Sequence, residues 1–163
     1  MSKLSRSGIL ALVTMVLACA PTRSTGTLPV EVLVVLDSAS NALVLIPVDS
    51  THVTRNIPLA GLDFVPTRLA ARGSQAVIAG GQPSTGAALV DLELGTIVRT
   101  WPLTSGAVQA VSMPTDDHAF VATSSGSTVA RLDFAAGGTP ALVAAPGGPQ
   151  GFAVSRGKVF AVI

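Results

Sequence analysis

From Val30 onward the chain is a succession of apolar runs, four to seven residues long, separated by clusters of Gly, Pro, Ser, Asp and Asn. The runs favour Val, Ile, Leu and Ala, and none sustains a 3.6-residue period, so the pattern predicts short strands and turns rather than helices. Three aspartates close equivalent runs: Val44-Leu45-Ile46-Pro47-Val48-Asp49, Ala88-Leu89-Val90-Asp91 and Val129-Ala130-Arg131-Leu132-Asp133, each 42 residues after the last. A strand-and-turn repeat of about 40–45 residues predicts an all-β chain of four-stranded antiparallel blades, a β-propeller.

With strands lettered a to d outward from the central channel, strand b falls at Val32–Leu36, Ala76–Gly80, Ala119–Thr123 and Val159–Ile163. Strand c falls at Leu43–Val48, Ala87–Leu92 and Thr128–Leu132, and strand d at His52–Leu59, Thr96–Leu103 and Ala141–Ala145. Strand a falls at Thr67–Ala71, Val108–Met113 and Gly151–Val154. Arg55-Asn56-Ile57-Pro58-Leu59 aligns with Arg99-Thr100-Trp101-Pro102-Leu103 and supports the register. Strand b is apolar almost throughout, as expected of a sheet covered on both faces.

These segments resemble a known repeat. Ala88–Leu103 is similar to the core of YVTN-type β-propeller repeats, and Val111–Thr123 to the hairpin of that family, with Asp117 where a turn glycine is usual. Gly148-Pro149-Gln150-Gly151-Phe152-Ala153-Val154 resembles its blade-opening segment. The resemblance covers residues 30–163 and implies fold, not function. By this reading the first unit has strands b, c and d, two complete units follow, and a fourth stops inside strand b. The expectation is therefore an N-terminal part of a longer propeller, its first strand a supplied from a distant C-terminus, or else closure by a second copy.

The start of the chain is of a different kind. Lys3 and Arg6 precede the apolar stretch Ile9–Ala18, the layout of a secretory signal peptide over residues 1–18. Ten apolar residues fall short of the roughly 20 a membrane-spanning helix needs. Val16-Leu17-Ala18-Cys19 resembles the lipobox of bacterial lipoproteins, although Leu17 departs from the usual small residue. That resemblance implies lipidation of Cys19, the only cysteine, and anchoring in the cell envelope, with Ala20 favouring the outer membrane. Residues 20–29, rich in Thr, Pro and Ser, read as a tether.

Without residues 1–18, eight Lys and Arg stand against nine acids, a balance of −1. A near-neutral chain with scattered basic residues, one Trp and no Tyr argues against nucleic acid as a partner. No G-x-S-x-G elbow, clustered His or Cys, or glycine loop leading into a helix is present, so no catalytic, metal or cofactor residues are assigned. Gly80-Gly81 and Gly147-Gly148 read as inter-strand loops, and Asp116-Asp117-His118 as a turn in an a–b hairpin. The 42-residue aspartates are expected to accept turn N–H groups.

What remains is a rim. The b–c loops (37–41, 81–86, 124–127) and d–a loops (60–66, 104–107, 146–150) share one end of a meander, and Asp37, Asn41, Asp63, Gln82 and Gln150 are its best hydrogen-bonding members. The expected function is an envelope lipoprotein whose propeller binds another envelope protein or a small polar ligand. The alternative is part of a propeller enzyme, a lactonase-like hydrolase or redox propeller, with its catalytic residues beyond Ile163.

Overall fold

The computed structural model describes residues 31–49, 55–103, 106–124, 127–136, 138–156 and 158–163. Cys19, the expected leader and tether, and His52 lie outside them. The described residues form thirteen strands and no helix. Sheet 1 is β1 (Val32–Asp37), β2 (Ala42–Pro47) and β3 (Arg55–Pro58), hydrogen-bonded in that order. Sheet 2 is β4 (Phe64–Arg72), β5 (Gln75–Pro83), β6 (Gly86–Asp91) and β7 (Thr96–Pro102), and sheet 3 is β8 (Val108–Ser112), β9 (His118–Thr123), β10 (Thr128–Asp133) and β11 (Ala141–Ala144). Sheet 4 pairs β12 (Gly151–Ser155) with β13 (Lys158–Val162). Every pairing is antiparallel, so each sheet is a meander in which consecutive strands are neighbours.

Sheet 2 is the centre of the packing. Alternate residues of β5 and β6 enter different cores, because successive side chains point to opposite faces. Ala76, Ile78, Ala88 and Val90 pack with Leu43, Leu45 and Ile57 of sheet 1, while Val77, Ala79, Ala87 and Leu89 pack with Ala119, Val121, Ala130 and Leu132 of sheet 3. Trp101 closes the second core, its ring 6.1 Å from that of Phe134. The innermost strands β4, β8 and β12 lie side by side in succession.

The repeat recurs in its backbone bonds. The residue after each d strand donates to the residue just before strand c: Leu59 to Asn41 (2.9 Å), Leu103 to Thr85 (2.9 Å) and Ala145 to Ser127 (2.6 Å). Likewise Val48, Leu92 and Phe134 donate to Glu31, Ser74 and Asp117 at 3.2, 2.8 and 2.9 Å. Asp91 and Asp133 behave as the repeat predicts, but Asp49 is not their equivalent. The matching backbone bonds of Val48, Leu92 and Phe134 put Pro47 in that place, because sheets 1 and 2 are offset by two residues more than the aspartates are. Asp91 Oδ1 accepts the Leu94 N–H at 2.8 Å, and Asp133 Oδ1 accepts those of Ala135 and Ala136 at 3.0 and 3.1 Å. The turn after Asp49 falls outside the described residues.

The aligned arginines join successive sheets. Arg55 of β3 donates to the carbonyls of Leu92 (3.0 Å), Glu93 and Leu94 (2.8 Å), in the turn that Asp91 organises. Gly95 completes that turn at φ +68°, and a Cβ there would sit 2.7 Å from the Arg55 guanidinium. Arg99 of β7 repeats the reach one sheet on, donating to Ala136 O at 2.6 Å. A guanidinium fits these turns because several carbonyls converge where the chain reverses.

Two expectations about sheet 2 are corrected. Strand a begins at Phe64 rather than Thr67, and strand b runs to Pro83 rather than Gly80, so Gly80, Gly81 and Gln82 lie within β5 and only Ser84 and Thr85 remain as the b–c loop. Close approach of the two strands is the reason. Phe64 pairs with Pro83 and Val65 with Gly81, across bulges at Phe64/Val65 and Pro66/Arg68. A Cβ on Gly80 would lie 1.8 Å from the Val65 carbonyl oxygen, and one on Gly86 2.5 Å from the Phe64 ring. Glycine is what lets Phe64 bury itself there, extending both strands.

Candidate functional site

The antiparallel meander places the b–c and d–a connections at one end of the sheets and the a–b and c–d turns at the other. All five rim residues lie at the first end, but their side chains are not equally free. Asp37 closes β1, and its carboxylate accepts the N–H groups of Ala39 (3.0 Å) and Ser40 (3.2 Å) and the Ser40 hydroxyl. The Ser40 hydroxyl, followed by its N–H, holds this exposed carboxyl below the usual aspartate range. Asp37 is therefore engaged in its own turn. Asn41, left-handed at φ 51°, donates through Nδ2 to Leu59 O at 3.4 Å and ties its loop to the end of β3.

Asp63 and Gln82 both lie at the rim end of sheet 2. Both are exposed, and the Asp63 carbonyl accepts the hydroxyl (2.9 Å) and N–H (3.4 Å) of Ser84, two residues beyond Gln82. Gln82 takes φ 62° and precedes a cis bond to Pro83. Gln150 sits apart on sheet 4, its amide donating to Gly148 O at 3.0 Å and its N–H to Val162 O at 2.7 Å.

Other rim residues stitch loop to loop. Thr85 Oγ1 donates to Gly106 O at 3.1 Å, and Ser124 Oγ accepts the Ala107 N–H at 3.0 Å. Sequence reasoning placed Thr85 and Ser124 in loops without giving them a role. The signal was available for Thr85, which occupies the position of Asn41 in the repeat. The resulting rim is a fixed backbone frame presenting an exposed carboxylate and an exposed amide.

The opposite end is built from turns. The Asp117 carboxylate takes the Thr115 hydroxyl and His118 Nδ1 (2.7 Å), and the hydroxyl above all, then the imidazole, lowers its pKa. Arg72 Nε reaches Asp116 Oδ1 at 2.7 Å, linking β4 to the hairpin of sheet 3. Among the described residues no group of three or more His, Cys, Asp or Glu gathers as a metal would require. Among the described residues, three concavities lie mainly between or outside sheets. One of about 350 Å³ separates sheets 3 and 4, one of about 490 Å³ runs beside β1 and meets the rim at Ser38, and one of about 190 Å³ lies by Trp101 and Pro140.

Four-stranded meanders laid side by side with their first strands innermost, joined through apolar faces, define the blades of a β-propeller. Solved structures agree. The chain is similar to the crystal structure of the WD40 β-propeller domain of Doa1, with a TM-score of 0.53 and 15% identity, over 77% of this chain and 44% of that one. It is also similar to the crystal structure of the computationally designed Ika4 protein, with a TM-score of 0.57 and 12% identity, over 80% of this chain and 85% of that one. The match thus spans less than half the length of the WD40 chain. No protein-family model matches the sequence, and no curated protein matches it.

Proposed function

We propose that the protein is a bacterial cell-envelope lipoprotein, tethered through lipidated Cys19, whose propeller blades act as a binding or protein-interaction scaffold at the b–c/d–a rim. The observation that carries this reading is the gathering of loop polar groups onto a rigid frame at one end, with Asp63 and Gln82 both exposed at the rim end of sheet 2. Binding groups set on loops held by a rigid scaffold are the common arrangement for recognition. The fit is to a polar partner, because such a rim offers hydrogen bonds and little apolar area. The Val-Leu-Ala-Cys segment supports the anchor, and Ala20 supports the outer membrane. A diacylated cysteine would hold the chain stably where one acyl chain would not.

The test has two arms. Full-length protein and Cys19→Ser, expressed with the native leader, are compared by detergent partitioning and incorporation of labelled palmitate. Label and detergent-phase recovery should vanish in the variant, and equal behaviour removes the anchor. In the second arm Asp63→Asn with Gln82→Ala is compared with His118→Ala for capture of detergent-solubilised envelope proteins. The rim pair should lose capture about tenfold or more, the scale of a lost hydrogen-bonded contact. Loss on the His118 side alone removes the rim.

A further inference from the structure

The innermost strands of sheets 2 and 3 interrupt their ladders at the same place. In β4, Thr67 has no residue opposite it, since Pro66 pairs with Gly80 and Arg68 with Ala79. In β8, Gln109 has none, since Val108 pairs with Thr123 and Ala110 with Ala122. The two bulges stand 42 residues apart, one repeat. A bulge bends its strand and re-aims the side chains beside it. Next to the first bulge stands a cation. Arg68 Nε donates to Gln109 O at 2.9 Å and Nη1 to Thr67 O at 3.0 Å, so both bulge carbonyls hold one guanidinium across the seam between the sheets.

Those bonds leave most of the guanidinium's N–H donors unused. Among the described residues the Thr67 hydroxyl and the Gln109 side-chain amide have no hydrogen-bond partner, and no carboxylate lies within ion-pair reach of Arg68. Arg72, at the far end of the same strand, is by contrast tied to Asp116 at 2.7 Å. Thr67 and Arg68 are exposed and Gln109 is half-buried. We propose that Thr67, Arg68 and Gln109 form a carboxylate-binding site on the inner wall of the blades, just inside the b–c/d–a rim. The site rests on the reading of that end as the binding end and names the group it receives. Sheets 2 and 3 each carry four strands, so two whole blades build it. Charge and shape select the ligand. One unpaired cation matches one negative charge, and the planar fork of a guanidinium matches the two oxygens of a carboxylate. Phosphate, which carries close to two charges near neutral pH, calls for more than one cation. The two carbonyls also fix the guanidinium beforehand, so binding costs little side-chain freedom. A free acid and an acidic residue of a partner protein present the same group, and the test separates them.

Nitrogen-15 NMR of the full chain in mild detergent follows the Arg68 Nε–H while sodium succinate, neutral succinamide or inorganic phosphate is added at constant ionic strength. Succinate should move that resonance saturably in the millimolar range, and succinamide should leave it in place. Thr67→Val with Gln109→Leu keeps both carbonyls, and with them the guanidinium's position, and should weaken succinate about tenfold through two lost neutral hydrogen bonds. Arg68→Lys keeps the charge but loses the fork, and should weaken it at least as much. Circular dichroism melts confirm that each variant is folded. No saturable shift with succinate, an equal shift with phosphate, or wild-type affinity in the folded Thr67/Gln109 variant would overturn the site. Capture of envelope proteins keeps this outcome apart from that of the rim. If Asp63→Asn with Gln82→Ala loses capture while succinate finds no site at Arg68, the rim stands and the carboxylate site falls; the reverse keeps the site and removes the rim. Where both hold, release of captured protein by succinate assigns the carboxylate to the partner, and binding without release assigns it to a free acid.

Discussion

Sheet 2 and sheet 4 have strands of similar chemistry and opposite surroundings. β6 and the stretch Ala76–Gly80 of β5 are buried, with Ile78, Val77 and Val90 fully enclosed, whereas β12 and β13 leave Val154, Phe160 and Val162 about half exposed. The difference is one of neighbours. A blade has no core of its own: each face of sheet 2 completes a core with the next sheet, as in repeat architectures where stability comes from nearest-neighbour interfaces. Stability should therefore be graded along the arc, highest where a sheet is covered on both sides.

The largest effect should come from opening the central core. Leu89→Ala should cost about 2–5 kcal/mol, the usual range for truncating a buried leucine, against less than about 1 kcal/mol for Phe160→Ala at the end of the arc. Urea denaturation of the two variants checks the contrast, and equal losses would mean that sheet 4 is covered as fully as sheet 2. Next in size is Gly80→Ala, which forces a methyl toward the Val65 carbonyl and should cost about 1–3 kcal/mol from overpacking. Its thermal midpoint should fall clearly, whereas a wild-type midpoint would show that β4 and β5 do not approach so closely.

The smallest effect is common to end and interior. Asp37 on sheet 1 and Asp133 on sheet 3 are both held below the ordinary aspartate pKa. The Ser40 hydroxyl is the leading cause in one, and the N–H groups of Ala136 and then Ala135 in the other. Because the folded values are the lower ones, each carboxylate stabilises the fold above about pH 4 and loses that contribution as pH falls through its folded pKa. Denaturation midpoints measured between pH 7 and pH 3 should fall with acid, and Asp133→Asn should flatten part of the fall. An unchanged pH profile in Asp133→Asn would show that its turn bonds do not depend on charge.

Much of the fold could be read from residues alone, because the repeat writes the same chemistry at a nearly constant interval, 42 residues between the aspartates and 44 between Arg55 and Arg99. The 42-residue aspartates mark turn acceptors in two described blades, and the Arg55/Arg99 alignment marks equivalent strands. What escaped was whatever depends on contact between blades. An unbroken apolar run such as Ala76-Val77-Ile78-Ala79 carries no sign of which residues face sheet 1 and which face sheet 3. The reach of Arg55 to carbonyls at residues 92–94 is invisible for the same reason. Gln82 was placed in a loop because glycines usually punctuate strands, and here Gly80 instead lets two strands close up. The rim was legible as a set of loops. Which polar groups the turns consume, Asp37 above all, was set by hydrogen bonds that only the folded chain displays.

Native-state hydrogen exchange resolved to strands tests the central claim most directly, since it reads how the blades share stability. The account predicts that amides of β5 and β6 exchange slowest and those of β12 and β13 fastest, by a factor of about 100 or more, with sheets 1 and 3 between them. Uniform protection across all four sheets, or greatest protection in β12 and β13, would contradict it.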